Sequence, residues 1–387
     1  MDFDFSDEQK MVQETARRLM EREIIPIADE YDRSKALFDR GKLDPLLKKI
    51  SPLGYVGGTI PEEWGGAGLD MVTLGILLEE LFKAYASLAG IIMLQVGTTR
   101  QIFLLGSEEH KKRFLPSLCS GEKIICGAIT EPNVGSNNVA IETLAKKDGD
   151  SYVINGTKTW ISNGSISDVV MIVVQTKKGS GAKGICQILV DRNESPYTAR
   201  EISKLGLRSF PTSELIFEDC RVPEENLLIT PGKGLKTILS VYELGRSMMS
   251  IGAVGMGQAA IDASIKYARE RIQFGRPIGG FQLIQEMIAD MIAEIDASRL
   301  LAYRALSLLD KGMRCDTEAS LAKLYSTEAA VRVTSKAIQI HGAYGLSEEY
   351  PVERFFRDAR SWTIPDGTTQ IQKLIVGSSV LGIRAFS

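Results

Sequence analysis

The sequence predicts an α+β chain that folds as three successive regions, helical, then β, then helical. Apolar residues recur with helical spacing in the first third of the chain and again in its last part. Between these parts, short runs of β-branched and aromatic residues alternate with turn residues. We therefore expect an N-terminal helical domain at residues 1–123, a central antiparallel β domain at 124–230 and a C-terminal helical domain at 231–387.

The composition is that of an ordinary globular protein of 387 residues, 44% hydrophobic and 25% charged, with a net charge of -3. Its 46 basic and 49 acidic residues are mixed along the sequence, so no extended basic face for nucleic acid is expected. No uninterrupted apolar stretch is long enough to span a bilayer, and the acidic start lacks the features of a signal or transit peptide. These features predict a cytoplasmic protein.

Residues that bind metals or form disulfides are few and dispersed. The five cysteines are widely spaced without a CxxC pair, and the only histidines are His110 and His341. We therefore expect buried free thiols and no metal site. Catalysis would have to use carboxylates, hydroxyls, backbone groups and a bound cofactor.

The N-terminal region begins with a clear helix signal. Ser6 and Gln9 form a capping box that opens a helix, and Pro26 predicts its end. A glycine-rich loop at residues 63–68 separates later helical patterns. Further helices are predicted at residues 43–50, 72–88 and 111–118.

A hairpin is the strongest local prediction in the β region. Asn155-Gly156 lies between two strand-like runs, and both residues tolerate the positive φ of a type I′ turn. Trp160 would then lie at the end of the second strand, where tryptophan most often belongs to a core. Further strands are predicted at residues 169–174, 185–190 and 215–217.

Long helical patterns dominate the C-terminal region. The first of them contains several glycines and alanines between Gly252 and Ala260, a smooth surface that allows a second helix to approach closely. Helices are predicted at residues 237–271, 283–311 and 317–340, and from residue 368 onward.

The last helix is preceded by Asp366, the residue of greatest chemical interest. Its surroundings, WTIPDGTTQIQ, resemble the active-site signature of the acyl-CoA dehydrogenases. In that family a carboxylate followed by Gly-Thr removes a proton next to a thioester carbonyl. The common members have Glu where this chain has Asp366 and Tyr where it has Pro365.

A turn-rich loop from Thr130 to Ser136 enters the β region. Judged by its residues alone, this loop is either a structural turn or a cradle for a phosphate or a polar ring edge. It resembles the flavin-binding run of the family, which implies that Thr130 bonds to the isoalloxazine ring of FAD and that Ser136 lies near phosphate and acyl-CoA. The same resemblance implies that Trp160 and Ile161 pack on the flavin ring and that Ser162 approaches its N5 atom.

A second cofactor segment is implied after the long helix. The residues from Arg271 to Gly275 are compatible with a helix that ends in exposed arginines. They also resemble the Arg-x-x-Phe-Gly segment that binds the FAD pyrophosphate and adenosine of a neighbouring subunit, for which the arginine fork is suited. The resemblance implies further cofactor contacts by Gln273, Phe274, Gln282, Gln339, Gly342, Thr368 and Gln370.

These motifs follow the order of the family along nearly the whole chain, with residues 61–66 and 357–360 as further matches. The resemblance implies the acyl-CoA dehydrogenase fold, with a barrel-like central domain, a C-terminal four-helix bundle and assembly as a homotetramer. An electron-transfer flavoprotein is implied as the electron acceptor. Contacts with the acyl-CoA substrate are implied for Ser136, Glu243, Arg246 and Gly367.

The replacement of glutamate by Asp366 leaves three hypotheses for the chemistry. Asp366 is the base for a bulkier substrate that lies nearer to it, or another carboxylate acts, or the site is silent. Related enzymes place their base at positions that correspond to Gly245 or fall within residues 88–96, and neither position carries a carboxylate here. We favour the first hypothesis, because Pro365 also removes the usual aromatic ring.

The predicted function is FAD-dependent α,β-dehydrogenation of an acyl-CoA to a 2-enoyl-CoA. The shorter base resembles that of the cyclohexane-1-carboxyl-CoA dehydrogenase subgroup, which implies an alicyclic substrate that yields cyclohex-1-ene-1-carboxyl-CoA. Two alternatives stay open. One is a short or branched-chain acyl-CoA dehydrogenase, and the other is a catalytically silent binding or assembly protein with the same fold.

Overall fold

The computed structural model describes residues 4–232, 234, 237, 241–383 and 385. Six α-helices come first, strands follow from Ile125 to Ile229, and five α-helices lie within residues 241–383. The predicted order of a helical, a β and a second helical region is therefore confirmed.

The N-terminal helices show one error of the sequence analysis. The capping box of Ser6 and Gln9 is present, but no break occurs at Pro26. Instead a π-helical turn, Met20–Ile24, continues into the second helix, whose first turn holds Pro26 where the missing N–H costs nothing. The helices are α1 (Asp7–Leu19), α2 (Ile25–Arg33), α3 (Arg40–Ile50), α4 (Met71–Ala84), α5 (Ala86–Leu105) and α6 (Glu108–Ser120).

Helix α5 was not predicted, and its burial explains why. It is buried on most sides, so its sequence lacks the apolar stripe of a surface helix. Within the described residues, α5 is the one helix that could cross a membrane by its length and composition. It packs against α4, α6 and the first strand, which identifies it as a core helix.

Eight strands form one twisted sheet in the order β6-β7-β3-β2-β4-β5-β8, with β1 beside β4. Most pairs are antiparallel, as predicted, but β1 runs parallel to β4, and β2 also meets β4 in parallel. The strands are β1 (Ile125–Ala128), β2 (Leu144–Asp148), β3 (Ser151–Ser162), β4 (Val169–Gln175), β5 (Ile185–Asp191), β6 (Thr198–Glu201), β7 (Thr212–Pro223) and β8 (Leu227–Ile229).

The predicted hairpin turn at Asn155-Gly156 is wrong. Both residues lie inside β3, where the register against β7 shifts and Gly156 has a φ of 149°. The turn between β2 and β3 is Gly149-Asp150 instead. A Cβ atom at Gly156 would lie 2.8 Å from the Cα of Thr143, so this glycine allows a bulge with close backbone contact.

The C-terminal helices largely match their predicted ranges, although the start predicted at Thr237 falls among residues that are mostly outside those described. Helix α10 was not predicted, although its buried residues Val352, Phe355 and Ala359 follow a helical spacing. The elements are α7 (Tyr242–Glu270), a ribbon of β9 (Ile272–Gln273) and β10 (Arg276–Pro277), α8 (Gln282–Asp310), α9 (Asp316–His341), α10 (Val352–Trp362) and α11 (Thr369–Leu381).

Small residues on α7 allow close helix packing, as predicted. A Cβ atom at Gly257 would lie 2.2 Å from Cδ1 of Ile295 on α8. A Cβ atom at Gly255 would lie 2.6 Å from the carbonyl oxygen of Glu79 on α4. Side chains at these positions would therefore force the neighbouring helices away from α7.

The three regions meet at a buried charged cluster. Arg357 of α10 pairs with Asp32 of α2 at 2.5 Å, and Arg208, which precedes β7, lies 3.7 Å from the same carboxylate. Asp358 accepts a hydrogen bond of 2.5 Å from the main-chain N–H of Leu207. We call these five residues the three-domain cluster, because they join α2, the β region and α10.

Candidate active site

Asp366 lies in the short loop between α10 and α11 in a left-handed conformation. Its φ is 53° and that of Gly367 is 90°, a geometry that glycine adopts freely and aspartate tolerates better than most residues. The half-buried carboxylate faces the first turn of α7. A Cβ atom at Gly245 would lie 3.0 Å from Oδ2 of Asp366, so the carboxylate occupies space that a side chain at position 245 would need.

Buried side chains anchor this loop on both sides. The ammonium of Lys323 on α9 donates to the carbonyl oxygen of Gly367 at 2.6 Å. The amide of Gln372 on α11 donates to the carbonyl oxygens of Asp366 and Gly367, each at 3.0 Å. At the end of α10, the indole N–H of Trp362 donates to a main-chain carbonyl of α7 at 2.8 Å. The loop is thus tied to α7, α9 and α11.

The carboxylate of Asp366 combines burial with two nearby cations. Burial raises the pKa of Asp366, and the charges of Lys323 and Arg246 lower it in part. Burial lowers the pKa of Lys323 to about 8, against the opposing influence of Asp366. A desolvated carboxylate of raised pKa is more basic than one in water, as the removal of a weakly acidic proton requires.

Glu243 and Arg246, both predicted to contact CoA, have different surroundings. Glu243 is buried, and its carboxylate accepts a hydrogen bond of 2.8 Å from the main-chain N–H of Cys315, which precedes α9. Arg246 is buried near Asp366 and donates to the hydroxyl of Ser320 at 3.3 Å, while its Nε has no partner among the described residues. Arg246 therefore belongs to the site of Asp366, whereas Glu243 joins two helices.

The first predicted cofactor segment lies between β1 and β2, beside the end of β3. The main-chain N–H of Thr159 donates to the carbonyl oxygen of Thr130 at 2.9 Å, which places Thr130 next to the strand that carries Trp160. Trp160 has a φ of 60° and is 57% exposed, so it does not belong to the core of the sheet. An exposed indole beside a half-buried threonine suits a flat ring with polar edges, and these residues fit an isoalloxazine.

The other predicted residues of this segment differ in accessibility. Ile161 is buried in the β core, Ser162 is half-buried and Ser136 is exposed. Ser162 and Ser136 are therefore available to a ligand, while the side chain of Ile161 packs inside the sheet.

The second predicted cofactor segment lies at the far end of α7. This helix has 29 residues and is therefore about 43 Å long, with Asp366 near its start and Arg271 just after its end. Phe274 lies in the turn between β9 and β10 and is 94% exposed with a φ of 52°. The guanidinium of Arg271 lies 5.7 Å from the ring centre of Tyr344, which links it to the turn after α9. Also exposed are Gln273, Gln282, Gln339 and Gly342.

Thr368 and Gln370, also predicted to bind the cofactor, lie at the start of α11. The hydroxyl of Thr368 caps this helix by accepting a hydrogen bond of 3.4 Å from the N–H of Ile371. Gln370 is exposed. Both positions follow Asp366 closely in the sequence, whereas Arg271 lies just after the far end of α7.

Family models cover almost the whole chain in three parts. They are the acyl-CoA dehydrogenase N-terminal domain at residues 6–122, the middle domain at 126–220 and the C-terminal domain at 232–381. This chain belongs to the acyl-CoA dehydrogenase family. Members of the family are FAD-dependent oxidoreductases.

Individual acyl-CoA dehydrogenases match the chain from end to end. The glutaryl-CoA dehydrogenase of Desulfococcus multivorans is 37% identical over 389 residues, covering 99% of each chain. The mitochondrial short-chain specific acyl-CoA dehydrogenase of Mus musculus is 39% identical over 378 residues, covering 96% of this chain and 90% of its own.

Solved structures confirm the acyl-CoA dehydrogenase fold. A glutaryl-coenzyme A dehydrogenase in complex with glutaryl-CoA matches with a TM-score of 0.95 and 36% identity, covering 99% of this chain and 98% of its own. A chain from a structure of the electron transferring flavoprotein of Acidaminococcus fermentans matches with a TM-score of 0.94 and 34% identity, covering 98% of this chain and 100% of its own.

Four residues of this acyl-CoA dehydrogenase were missed by the sequence analysis. Lys323, which holds the loop of Asp366, lies on a helix where the sequence shows no motif, and Gln372, the last residue of the WTIPDGTTQIQ run, was given no role. In the first predicted cofactor segment, Glu131 pairs with Lys158 of β3 at 2.7 Å, and both side chains are buried. A lysine at an inward-facing position of a strand was the one available signal, because a buried lysine needs a partner.

The pair of Lys158 and Glu131 holds the first predicted cofactor segment against strand β3. The carboxylate of Glu131 also accepts hydrogen bonds from the main-chain N–H groups of Glu142 and Thr143, at 2.6 and 3.0 Å. Desolvation favours a higher pKa for Glu131, but Lys158 and these donors together hold it below its usual value. The ionised carboxylate thus ties the residue after Thr130 to the sheet.

Proposed function

We propose that this chain catalyses the FAD-dependent α,β-dehydrogenation of an acyl-CoA thioester, with Asp366 as the base that removes the α-proton. The observation that carries the proposal is the setting of this carboxylate. It is half-buried, its pKa is raised, and its loop is anchored by Lys323 and Gln372 beside the space at Gly245. Removal of a proton from carbon requires such a desolvated and oriented carboxylate.

Two groups of the chain act on the thioester in this proposal. Asp366 takes the α-proton, and its main-chain N–H, which has no protein partner among the described residues, donates to the thioester carbonyl. Such a donor stabilises the negative charge that develops on the oxygen when the proton leaves. Bound FAD would accept the hydride from the β-carbon.

The cofactor would be held by residues of two copies of the chain. Thr130, Trp160 and Ser162 form one group, whereas Arg271 lies at the other end of a helix about 43 Å long. That separation, together with the exposure of Phe274, supports a cofactor shared between neighbouring subunits. A homotetramer is the assembly that the family resemblance implies.

The residues of the site and the names of the relatives point to different acyl groups. Asp366 is one methylene shorter than glutamate, so the α-carbon must come nearer to the loop, and Pro365 leaves out an aromatic ring. Both features favour a compact or ring-bearing acyl group, for which cyclohexane-1-carboxyl-CoA is the specific hypothesis. The two relatives described above are named for glutaryl-CoA and for short chains, which supports a short acyl chain instead.

Anaerobic mixing of the FAD-loaded protein with butyryl-CoA, glutaryl-CoA and cyclohexane-1-carboxyl-CoA tests the proposal. We expect at least one thioester to bleach the flavin and release a 2-enoyl-CoA. Bleaching by none of them would contradict the dehydrogenase and favour the silent binding protein. A faster reaction with butyryl-CoA than with the alicyclic thioester would contradict only the ring hypothesis.

Replacement of the base gives the first residue-level prediction. Asp366→Asn should retain FAD, because Asp366 lies outside both cofactor segments, and should lower the rate of flavin reduction by about 10²–10⁴-fold, the usual contribution of a general base. Rapid mixing with the best thioester of the panel measures this rate. A fully active variant would show that another group removes the proton.

An electron-transfer flavoprotein is the proposed electron acceptor. The match to a chain from a structure of the electron transferring flavoprotein of Acidaminococcus fermentans supports it. Reoxidation of the substrate-reduced protein by a purified electron-transfer flavoprotein, compared with a buffer control, tests this assignment. The cytoplasmic location stays a prediction.

A further inference from the structure

Lys323 is a buried lysine in the middle of α9, with 1% of its surface exposed. Its ammonium donates to the carbonyl oxygen of Gly367 at 2.6 Å, and within the described residues it forms no ion pair of 4.0 Å or less. A buried charge without a close partner is costly unless the site uses it. Asp366 is the anion that influences Lys323 most.

We propose that Lys323 is a positioning residue for the base Asp366, holding the Asp366-Gly367 turn in place and supplying the positive charge that keeps the carboxylate ionised. This inference rests on the proposed function, in which Asp366 removes the α-proton. It assigns to α9 a part in the reaction that no motif of the sequence indicates.

The turn needs anchors from outside because both of its residues are left-handed. Neither α10 nor α11 includes Asp366 or Gly367, so helical hydrogen bonds do not fix their orientation. The carbonyl oxygen of Gly367 receives two donors, Lys323 and Gln372, and that of Asp366 receives Gln372. The direction in which the carboxylate points is therefore set from α9 and α11 together.

The charge of Lys323 acts within a small group of ionisable side chains. Arg246 and Tyr242 face Asp366 from α7, with the guanidinium 5.8 Å from the ring centre of Tyr242. Glu328, further along α9, influences Lys323 and accepts a hydrogen bond from a threonine of α11. Among the described residues, Lys323 and Arg246 oppose the effect of burial on Asp366, and removal of Lys323 leaves Arg246 alone to do so.

The sign of the effect follows from these contacts. Burial raises the pKa of Asp366, and Lys323 counteracts that rise. Without the ammonium, the carboxylate would accept a proton at higher pH and lose its function as a base there. The acid limb is the part of the pH profile in which the rate of flavin reduction falls as the pH decreases. It should therefore move to higher pH when the charge is removed, and should stay in place when only the turn is loosened.

Gln372 provides the matched control, because it contacts the same carbonyl oxygens without carrying a charge. The rate of flavin reduction by the best thioester of the panel is measured against pH in the FAD-loaded wild type, Lys323→Met and Gln372→Met. We expect both variants to bind FAD and to react at least about tenfold more slowly, as displacement of a base does. The acid limb should move to higher pH in Lys323→Met alone.

An unchanged acid limb in Lys323→Met would overturn the inference and leave Lys323 a packing residue. If Lys323→Met does not fold, Lys323→Arg retains the charge and should keep the acid limb at its wild-type pH. A displaced limb in Lys323→Arg would then overturn the inference as well.

Failure of the proposed function is recognised separately. Asp366→Asn that reduces its flavin at the wild-type rate would show that Asp366 is not the base, whatever Lys323 does. If no thioester reduces the flavin, the infrared carboxyl band that wild type has and Asp366→Asn lacks still reports the protonation of Asp366. An unchanged titration of that band in Lys323→Met would overturn the electrostatic effect.

Discussion

At the scale of single residues, Asp366 combines three properties that a base acting on a carbon acid requires. It is half-buried, its main chain is held in a left-handed turn, and its carboxylate faces space without a side chain at Gly245. The open space is specific to the pair of Asp366 and Gly245, since a Cβ atom at position 245 would lie 3.0 Å from Oδ2 of Asp366. The short side chain of Asp366 and the missing side chain at position 245 are therefore complementary in space.

Gly245→Ala tests that pairing. The added methyl group should displace the carboxylate and lower the rate of flavin reduction by about tenfold or more, because proton transfer is sensitive to small displacements. FAD content should not change. Gly377→Ala on α11 is the matched control, since a Cβ atom there meets nothing within 4 Å. Equal rates in both variants and wild type would contradict the close contact.

The pH dependence of the reaction follows from the same residue. Because burial raises the pKa of Asp366, its ionised form is lost at a higher pH than for an exposed aspartate. Flavin reduction should therefore decline as the pH falls through that raised value, and Asp366→Asn should lack this limb.

At the scale of elements, a buried ion pair secures the cofactor loop to β3. Lys158 lies on the strand that ends at Trp160, and Glu131 follows Thr130. The pair is therefore placed to keep the loop and the indole in a fixed relation. An exposed pair, Lys147 of β2 with Glu224 just after β7, provides a comparison.

Lys158→Met should lower the free energy of unfolding by about 3–5 kcal/mol, because it leaves the charge of Glu131 buried without its partner. Lys147→Met should lower it far less, because exposed pairs contribute little to stability. Chemical denaturation measures both values. Similar losses in the two variants would contradict the special role of the buried pair.

At the scale of the whole molecule, the three-domain cluster joins the parts that form the site. Asp358 follows Arg357 on α10 and binds the β region through Leu207, while Arg357 binds α2. The loop of Asp366 begins shortly after α10 ends. The position of Asp366 therefore depends on contacts among all three regions.

Asp358 makes the stability of this cluster dependent on pH. Burial raises its pKa to about 6, partly offset by Arg354 and the N–H of Leu207. The folded state then holds the proton more tightly than the unfolded chain, whose aspartate pKa is about 4. The resulting stabilisation is fully present below about pH 4 and is lost as the pH rises through about 6, a change of about 3 kcal/mol.

Asp358→Asn should remove this dependence while keeping an acceptor for Leu207. The difference in unfolding free energy between wild type and variant, measured by denaturant titration, should shift by about 3 kcal/mol from pH 4 to pH 7, in favour of the variant at pH 7. A difference that is constant with pH would contradict the assigned protonation of Asp358.

Local signals decided how much of the fold the sequence predicted. The long C-terminal helices, including the one that starts near Thr368, were predicted because their apolar spacing is a local feature. Asn155-Gly156 failed because pairing with β7 outweighed its turn preference. Helix α5 was missed because burial removed its polar face, whereas α10 was missed although its buried apolar residues follow a helical spacing.

By itself, the sequence determined the family and indicated the candidate base and the candidate cofactor segments, because each is carried by a short run of residues whose chemistry is local. The tertiary structure alone decided which distant groups surround that base. Lys323 lies 43 residues before Asp366 in the chain, yet packing of α9 against the loop brings its ammonium to the neighbouring carbonyl. Proximity of this kind arises from helix packing, which leaves no periodic or composition signal in the sequence.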